Sequence, residues 1–256
     1  MGYYSNYKVT KREVLFSIVI ICVMLIIGLV IHGNINDNLM IKYQEYNTAL
    51  QIEDNKDLFT YGMRTNIGNA FVHGDLKAVD TVTYPEIGGE YMYVEKVKEK
   101  YTKHIQTYTT TVNGKTQVKT RTYWSWDRIG SEDIKCKEIL FCGVEFNSNK
   151  INFPSANYID TIRESYYIRY KYYGVYCEHT GTIFTELKDG TISDNTDFYK
   201  NKSIDETIER LESEWELIVF WIVWIALTGG CVVGFCYFDN KWLEDTKQNY
   251  YKRRNY

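Results

Sequence analysis

Proline and histidine are scarce in this chain, two and four in 256 residues, and Lys plus Arg (30) do not outnumber Asp plus Glu (33). Without a basic excess a nucleic-acid surface, which needs a basic stripe, is not expected, and no nucleic-acid partner is assigned. His32, His73, His104 and His179 stand at no HxH or HExxH spacing. A zinc site needs at least three converging ligands, so no metal is expected. Cys177, Glu178 and His179 are adjacent, but neighbours on a strand point to opposite faces. No GxSxG elbow places a nucleophile beside a base, and Gly88-Gly89 has no phosphate-loop context. Glu132 and Asp133 read as part of a solvated loop. The expectation is a chain with no catalytic residues and no cofactor.

Two long apolar runs are present. Val14–Ile31 and Leu217–Phe238 carry no charge. At about 1.5 Å per residue they reach roughly 27 and 33 Å, enough for the hydrocarbon core of a bilayer. The first run exits into Ile31-His32-Gly33-Asn34 without a small-x-small cleavage site, so it reads as an uncleaved signal anchor. Lys8, Lys11 and Arg12 precede it, and Lys241, Lys247, Lys252, Arg253 and Arg254 follow the second run. The inner flanks carry Asp37, Glu209, Glu212, Glu214 and Glu216 instead. That asymmetry predicts a multi-pass protein of the cell membrane, with both termini cytoplasmic and the middle outside. Its segments are a cytoplasmic N-terminus (1–13), a first span (14–31), a helical stalk (32–57), an extracytoplasmic β-rich domain (58–202), a second stalk (203–216), a second span (217–238) and a basic tail (239–256). The fold class is α+β.

In the first stalk Leu39, Tyr43, Tyr46 and Leu50 recur at helical spacing. Ser203-Ile204-Asp205-Glu206 is a capping box, followed by a stripe of Ile204, Ile208, Leu211 and Trp215 leading into the second span. Between the stalks the pattern is that of strands. Asn113-Gly114 predicts a type I′ turn joining Ile105–Val112 to Lys115–Trp124. Asp189-Gly190 predicts another, between Thr182–Leu187 and Thr191–Ile192. Gly89–Lys98, Ile139–Phe146 and Ser165–Cys177 complete a mostly antiparallel set.

Phe71–Leu76, Gly89–Lys98, the long hairpin closing on Tyr123-Trp124-Ser125-Trp126, and the late strand Tyr167–Gly174 occur in that order. The succession resembles the lumenal domain of the LUMA family of transmembrane proteins. It is also similar to the GIDE/BAM-type domain held between two spans in membrane-bound ubiquitin ligases. The resemblance covers roughly 71–192 and rests on spacing and residue character. It implies a non-catalytic domain for membrane-side scaffolding or recognition. The chain departs from both families: about 18 residues follow the second span, which leaves no zinc-binding RING, and the extra spans of LUMA proteins are missing.

Cys22, Cys231 and Cys236 fall in the apolar runs and read as filler. Cys136, Cys142 and Cys177 are expected as buried thiols, with a bridge from Cys177 to Cys136 or Cys142 left open. Gly28, Gly230 and Gly234 are candidate helix-packing positions. The candidate interaction surface is Tyr123, Trp124, Trp126, Tyr167, Arg169, Lys171 and Tyr173. Alternation sends Tyr166, Ile168, Tyr170 and Tyr172 to a core face, and Tyr167, Arg169, Lys171 and Tyr173 to the other. The partners expected are the lipid bilayer and a protein, either another chain or a second copy. The function that follows is a non-enzymatic scaffold or recognition domain held outside the cytoplasm. An envelope exclusion or defence factor of a phage or mobile element is the alternative, since abundant Asn, Lys, Ile and Tyr suit a low-GC bacterium or its phage. An extracytoplasmic hydrolase comes third.

Overall fold

The computed structural model describes residues 10–112 and 115–254, so the Asn113-Gly114 turn and Lys8 lie outside the described residues, as do the side chains of Lys247, Lys252, Arg253 and Arg254. Helix makes up 39% and strand 44%, an α+β architecture in which two long apolar helices flank a mostly antiparallel β-rich domain. The described residues form two compact units, one running up to Asn47 and from Arg210 onward, the other within Thr48–Glu209.

The first unit consists mainly of α1 (Lys11–Thr48) and α4 (Trp215–Arg254). Both carry apolar segments long enough to cross a membrane, and almost none of that apolar surface is covered by protein. Thr10 opens α1 with a capping box: its N–H donates to Glu13 at 2.6 Å, and the Glu13 N–H donates to the Thr10 hydroxyl at 3.2 Å. Glu13 is fully buried and is also satisfied by Asn240 Nδ2 at 2.6 Å. The helices run antiparallel, with Arg12 paired to Asp239, Phe16 against Phe235 at 5.6 Å, and His32 against Trp221 at 5.7 Å. Midway, the Trp224 indole donates to Met24 O at 3.0 Å. Gly28 permits this approach, because a Cβ there would lie 2.5 Å from Trp224 Nε1. Small residues admit such close contacts where lipid removes the hydrophobic drive between helices.

The helical stretch after the first apolar run stops at Thr48, short of the expected 57, and Leu50 begins a strand instead. Leu39 is buried on the inner side of α1, whereas Leu50 and Ile52 alternate onto the sheet. The second stalk is also interrupted. A helix from Ile204 to Leu211 (called α3) opens on the reciprocal Ser203–Glu206 cap, at 3.0 and 3.2 Å. It ends before Glu212-Ser213-Glu214, and α4 restarts at Trp215, which is exposed. Glu216 in the first turn of α4 suits a new helix N-terminus, where acidic side chains are favoured. The stripe from Ile204 to Trp215 is therefore not continuous.

The second unit contains two sheets, most of α3, and a short helix, α2 (Lys56–Thr65). Asn55 caps α2 through Leu58 N–H, and Phe59 and Met63 on its inner face are buried. The larger sheet is built on β2 (Gly68–Ala78) and β10 (Glu178–Lys188), antiparallel along ten registered pairs from Glu178↔Lys77 to Leu187↔Gly68. On its flanks lie β1 (Leu50–Glu53), which pairs parallel with β2, and β5 (Glu138–Phe141) with β6 (Val144–Asn147). β7 (Ile151–Asn152), β11 (Thr191–Ile192) and β12 (Thr196–Lys200) complete it. Gly181 lets β12 close on β10: a Cβ there would meet Tyr199 O at 2.4 Å. The Asp189-Gly190 turn takes positive φ at both residues, 53° and 75°, as a type I′ turn requires.

The smaller sheet has the order β4-β3-β9-β8, from β3 (Tyr91–Val112), β4 (Lys115–Lys135), β8 (Asn157–Arg163) and β9 (Ile168–Tyr176). The two strands expected at 89–98 and 105–112 are one, β3, with a bulge between Lys98 and Glu99. Glu132 and Asp133 belong to β4 rather than to a loop. The strand expected at 139–146 is split by a turn in which Cys142 and Gly143 take φ of 46° and 74°. The main core joins α2 and the larger sheet to the near end of the smaller one, through Met92, Cys136 and Val175. Each fully buried Ile, Phe or Met there contributes about 1.5–3 kcal/mol.

Candidate interaction face

The register of the smaller sheet decides which of the expected surface residues meet. Directly paired residues share a face. Tyr101 pairs with Trp126, Lys103 with Trp124, Glu99 with Arg169, Val97 with Lys171, and Glu95 with Tyr173. Trp124, Trp126, Arg169, Lys171 and Tyr173 therefore lie together, with Tyr101 and Glu99 added from β3. Neither of these two was in the expected set, because only the β3 register places them there.

These side chains form a column. The Arg169 guanidinium sits 4.2 Å from the Trp126 ring centre, Trp126 is 5.1 Å from Tyr101, and Tyr101 stacks on Trp124 at 5.3 Å with 22° between planes. Behind it, Glu99 accepts from Arg169 Nε at 2.6 Å and pairs with Lys171 Nζ at 3.2 Å. Glu99 is 12% exposed, and its one carboxylate anchors both cations, leaving one net positive charge in the cluster. The charge serves to orient the guanidinium, and what the column offers outward is aromatic. Trp124 ends it, 47% exposed.

Two members of the expected surface lie elsewhere. Tyr123 alternates to the opposite face and stacks on His104 at 5.1 Å. Tyr167 precedes β9; its carbonyl accepts from Tyr101 N–H at 2.9 Å and its ring meets Tyr166 edge-on. Tyr166, assigned by alternation to the core, is 77% exposed because it too lies outside the strand. Tyr172 is in the core, 1% exposed. In the helices, Gly28 packs on Trp224, while a Cβ at Gly230 or Gly234 would meet nothing within 4 Å, so those two do not pair with Gly28.

The opposite face of the sheet is closed near its base. Lys96 is surrounded by the rings of Tyr170, Tyr84 and Tyr172 at 4.7, 5.1 and 5.6 Å and pairs with Glu86 at 2.9 Å. That bond to Glu86 raises the Lys96 pKa well above the usual lysine value. The cage pins the loop between β2 and β3 over a small second core of Tyr91, Val94 and Tyr172.

His104, which stands at no HxH or HExxH spacing, has its Nε2 2.6 Å from Asp127 Oδ2. Asp127 also accepts from the hydroxyls of Ser125, at 2.8 Å, and Thr102. The Ser125 bond, then His104, hold the Asp127 carboxyl below its ordinary range. Ser125 donates to the carboxylate and not to the imidazole, so the order needed to activate a serine is not formed. Among the described residues no three His, Cys, Asp or Glu side chains converge as metal ligands. The six cysteines are free thiols, and burial raises Cys136 and Cys142 to about 11. No family model, curated protein or solved structure matches the chain.

Proposed function

We propose that this chain is a two-pass membrane protein that holds a β-rich recognition domain outside the cytoplasm and has no chemistry of its own. The observation that carries the reading is the Arg169–Trp126–Tyr101–Trp124 column. Its rings are pre-stacked, its guanidinium is already paired with Glu99, and it stays open at Trp124. Rigid aromatic anchors of this kind dominate protein interfaces because little conformational entropy is lost when they are buried.

The two apolar helices and the basic residues outside them support the disposition. A reporter fused after Tyr256 is expected to read cytoplasmic, and one inserted between β3 and β4 external. A cytoplasmic signal from the second insertion overturns the topology. Recognition is tested by crosslinking the intact protein in native membranes and comparing capture with the Trp124→Ser variant. Because Trp124 is about half exposed, the variant should fold as before and lose about 2 kcal/mol of association, as an interface anchor does. Unchanged capture would remove the column from the interface.

A further inference from the structure

Beyond Tyr101, whose N–H still donates to Tyr167 O, β3 has no neighbour but β4, since β9 pairs only with Tyr91–Lys100. Residues 101–112 and their partners thus leave the sheet as a two-stranded arm, roughly 40 Å long at about 3.3 Å per residue. Its charge is unlike that of the whole. From residue 101 to 126 there is no acidic residue, while Lys103, Lys115, Lys119 and Arg121 add four cations to a chain of net charge -3.

Pairing sorts these groups. Lys115 lies opposite Val112, Lys119 opposite Tyr108, and Arg121 opposite Gln106, so all three cations occupy one face together with Tyr108 and Tyr123. All three are exposed, and none forms a salt bridge or side-chain hydrogen bond among the described residues. Along β4 they follow at spacings of roughly 13 and 7 Å. Tyr108, opposite Lys119, and Tyr123, two residues past Arg121 toward the base, are 43% and 41% exposed.

We propose that this face binds a bilayer surface rich in anionic phospholipid, with the three cations on phosphates and the two tyrosines at headgroup depth. A line of free cations is complementary to an anionic plane, the one carboxylate at the base of this face, Asp127, being taken up by His104, Ser125 and Thr102, and tyrosine suits the level between water and hydrocarbon. A second copy fits poorly, because like faces would oppose cation to cation, and lysines on an open strand edge resist pairing. A two-stranded ribbon has no walls to enclose a polymer chain. The inference needs only the two apolar helices that place the chain beside lipid, and holds whichever side the domain occupies.

The test uses the full chain in nanodiscs of phosphatidylcholine. Flotation is measured with vesicles of phosphatidylcholine alone or mixed with phosphatidylglycerol. In parallel, chymotrypsin cutting at Tyr108 and Tyr123 is compared in discs with and without phosphatidylglycerol, which reports contact with the protein's own membrane. The expected result is anion-dependent flotation or protection. K115Q/K119Q/R121Q should weaken it about a hundredfold at low salt, and R121Q alone about fivefold. K115R/K119R should retain it. Trp124→Ser, on the other face, should leave it unchanged, which separates this result from partner capture. The proposal is overturned by neither readout depending on the anionic lipid, or by the triple variant behaving as wild type. Tighter binding of an oligodeoxythymidylate than of the vesicles would assign the arm to nucleic acid and overturn it equally.

Discussion

Val94 and Val118 sit in the same hairpin, one on each strand, yet Val94 is fully buried and Val118 is 69% exposed. Nothing in the local sequence separates them, since both halves of the hairpin are rich in Val, Tyr, Lys and Thr at alternating positions. The difference is made by neighbours. Near the base, β9 lies alongside β3, and the loop pinned by Lys96 closes over Val94 and Tyr172. In the arm the ribbon stands alone. Strand propensity is mostly the energy of what a side chain packs against, so the same valine contributes stability at the base and almost none at the arm. An isolated two-stranded ribbon is marginal in water, and the arm is ordered as an extension of the base.

Removing the base should give the largest effect. Tyr172→Ala empties a fully buried site between Val94 and Tyr84 and takes away one ring of the Lys96 cage. A loss of about 3–5 kcal/mol is expected, as for large aromatic-to-Ala changes in cores. Melting of the full chain in detergent measures it, and the arm should become protease-sensitive at the same temperature as the sheet. An arm that stays resistant after the base has melted would show that it is stable by itself.

A smaller effect separates the buried sheet from the arm by pH. His179, on β10, is buried with Nε2 unpartnered; burial first, then Lys200, lowers its pKa below the ordinary histidine value. The folded state therefore binds fewer protons than the unfolded chain as the pH falls through that ordinary value. The resulting stability is fully present above about pH 6.5 and is lost on acidification below it. Asp75 and Asp80, held low by hydrogen bonds from Thr180 and from the Lys137 and Glu138 amides, titrate below this window. The urea midpoint should fall between about pH 7.5 and about pH 5.5, and His179→Gln should flatten the change. A slope that survives the substitution would place its source elsewhere.

What could be read from the sequence follows the same division between local and distant causes. The Asp189-Gly190 turn and the Ser203–Glu206 cap need only residues a few positions apart, and both are formed. The arm's alternation was equally legible. The length of β3 was not: Lys98-Glu99-Lys100 reads as a polar break, and only Arg169 and Lys171, arriving from β9, make Glu99 a half-buried strand residue. The same two strands hide the column, which joins residues from three elements. Cys142-Gly143 carries no Asn or Asp to announce its turn, and α2 followed directly on an apolar period that runs to Leu50. The cationic face was masked by averaging, because the whole-chain balance conceals a stretch without acids.

The smallest expected effect is the most direct measure of the contrast. Val118→Ala removes two methyl groups that are mostly in water already, so stability should change by no more than about 0.5 kcal/mol. The ladder hydrogen bonds should behave differently from the side chain. At the base, amides from Tyr91 to Lys100 are covered on both edges and exchange only with opening of the domain. The last tie to the body is Tyr101 N–H on Tyr167 O, and past it each edge of the ribbon faces solvent. Hydrogen exchange of the full chain should therefore show protection falling steeply after Tyr101 and fading toward the tip, with Val118→Ala leaving the base unaffected. Uniform protection along both strands would mean that something covers the arm in solution, and that its exposure belongs to the isolated chain alone.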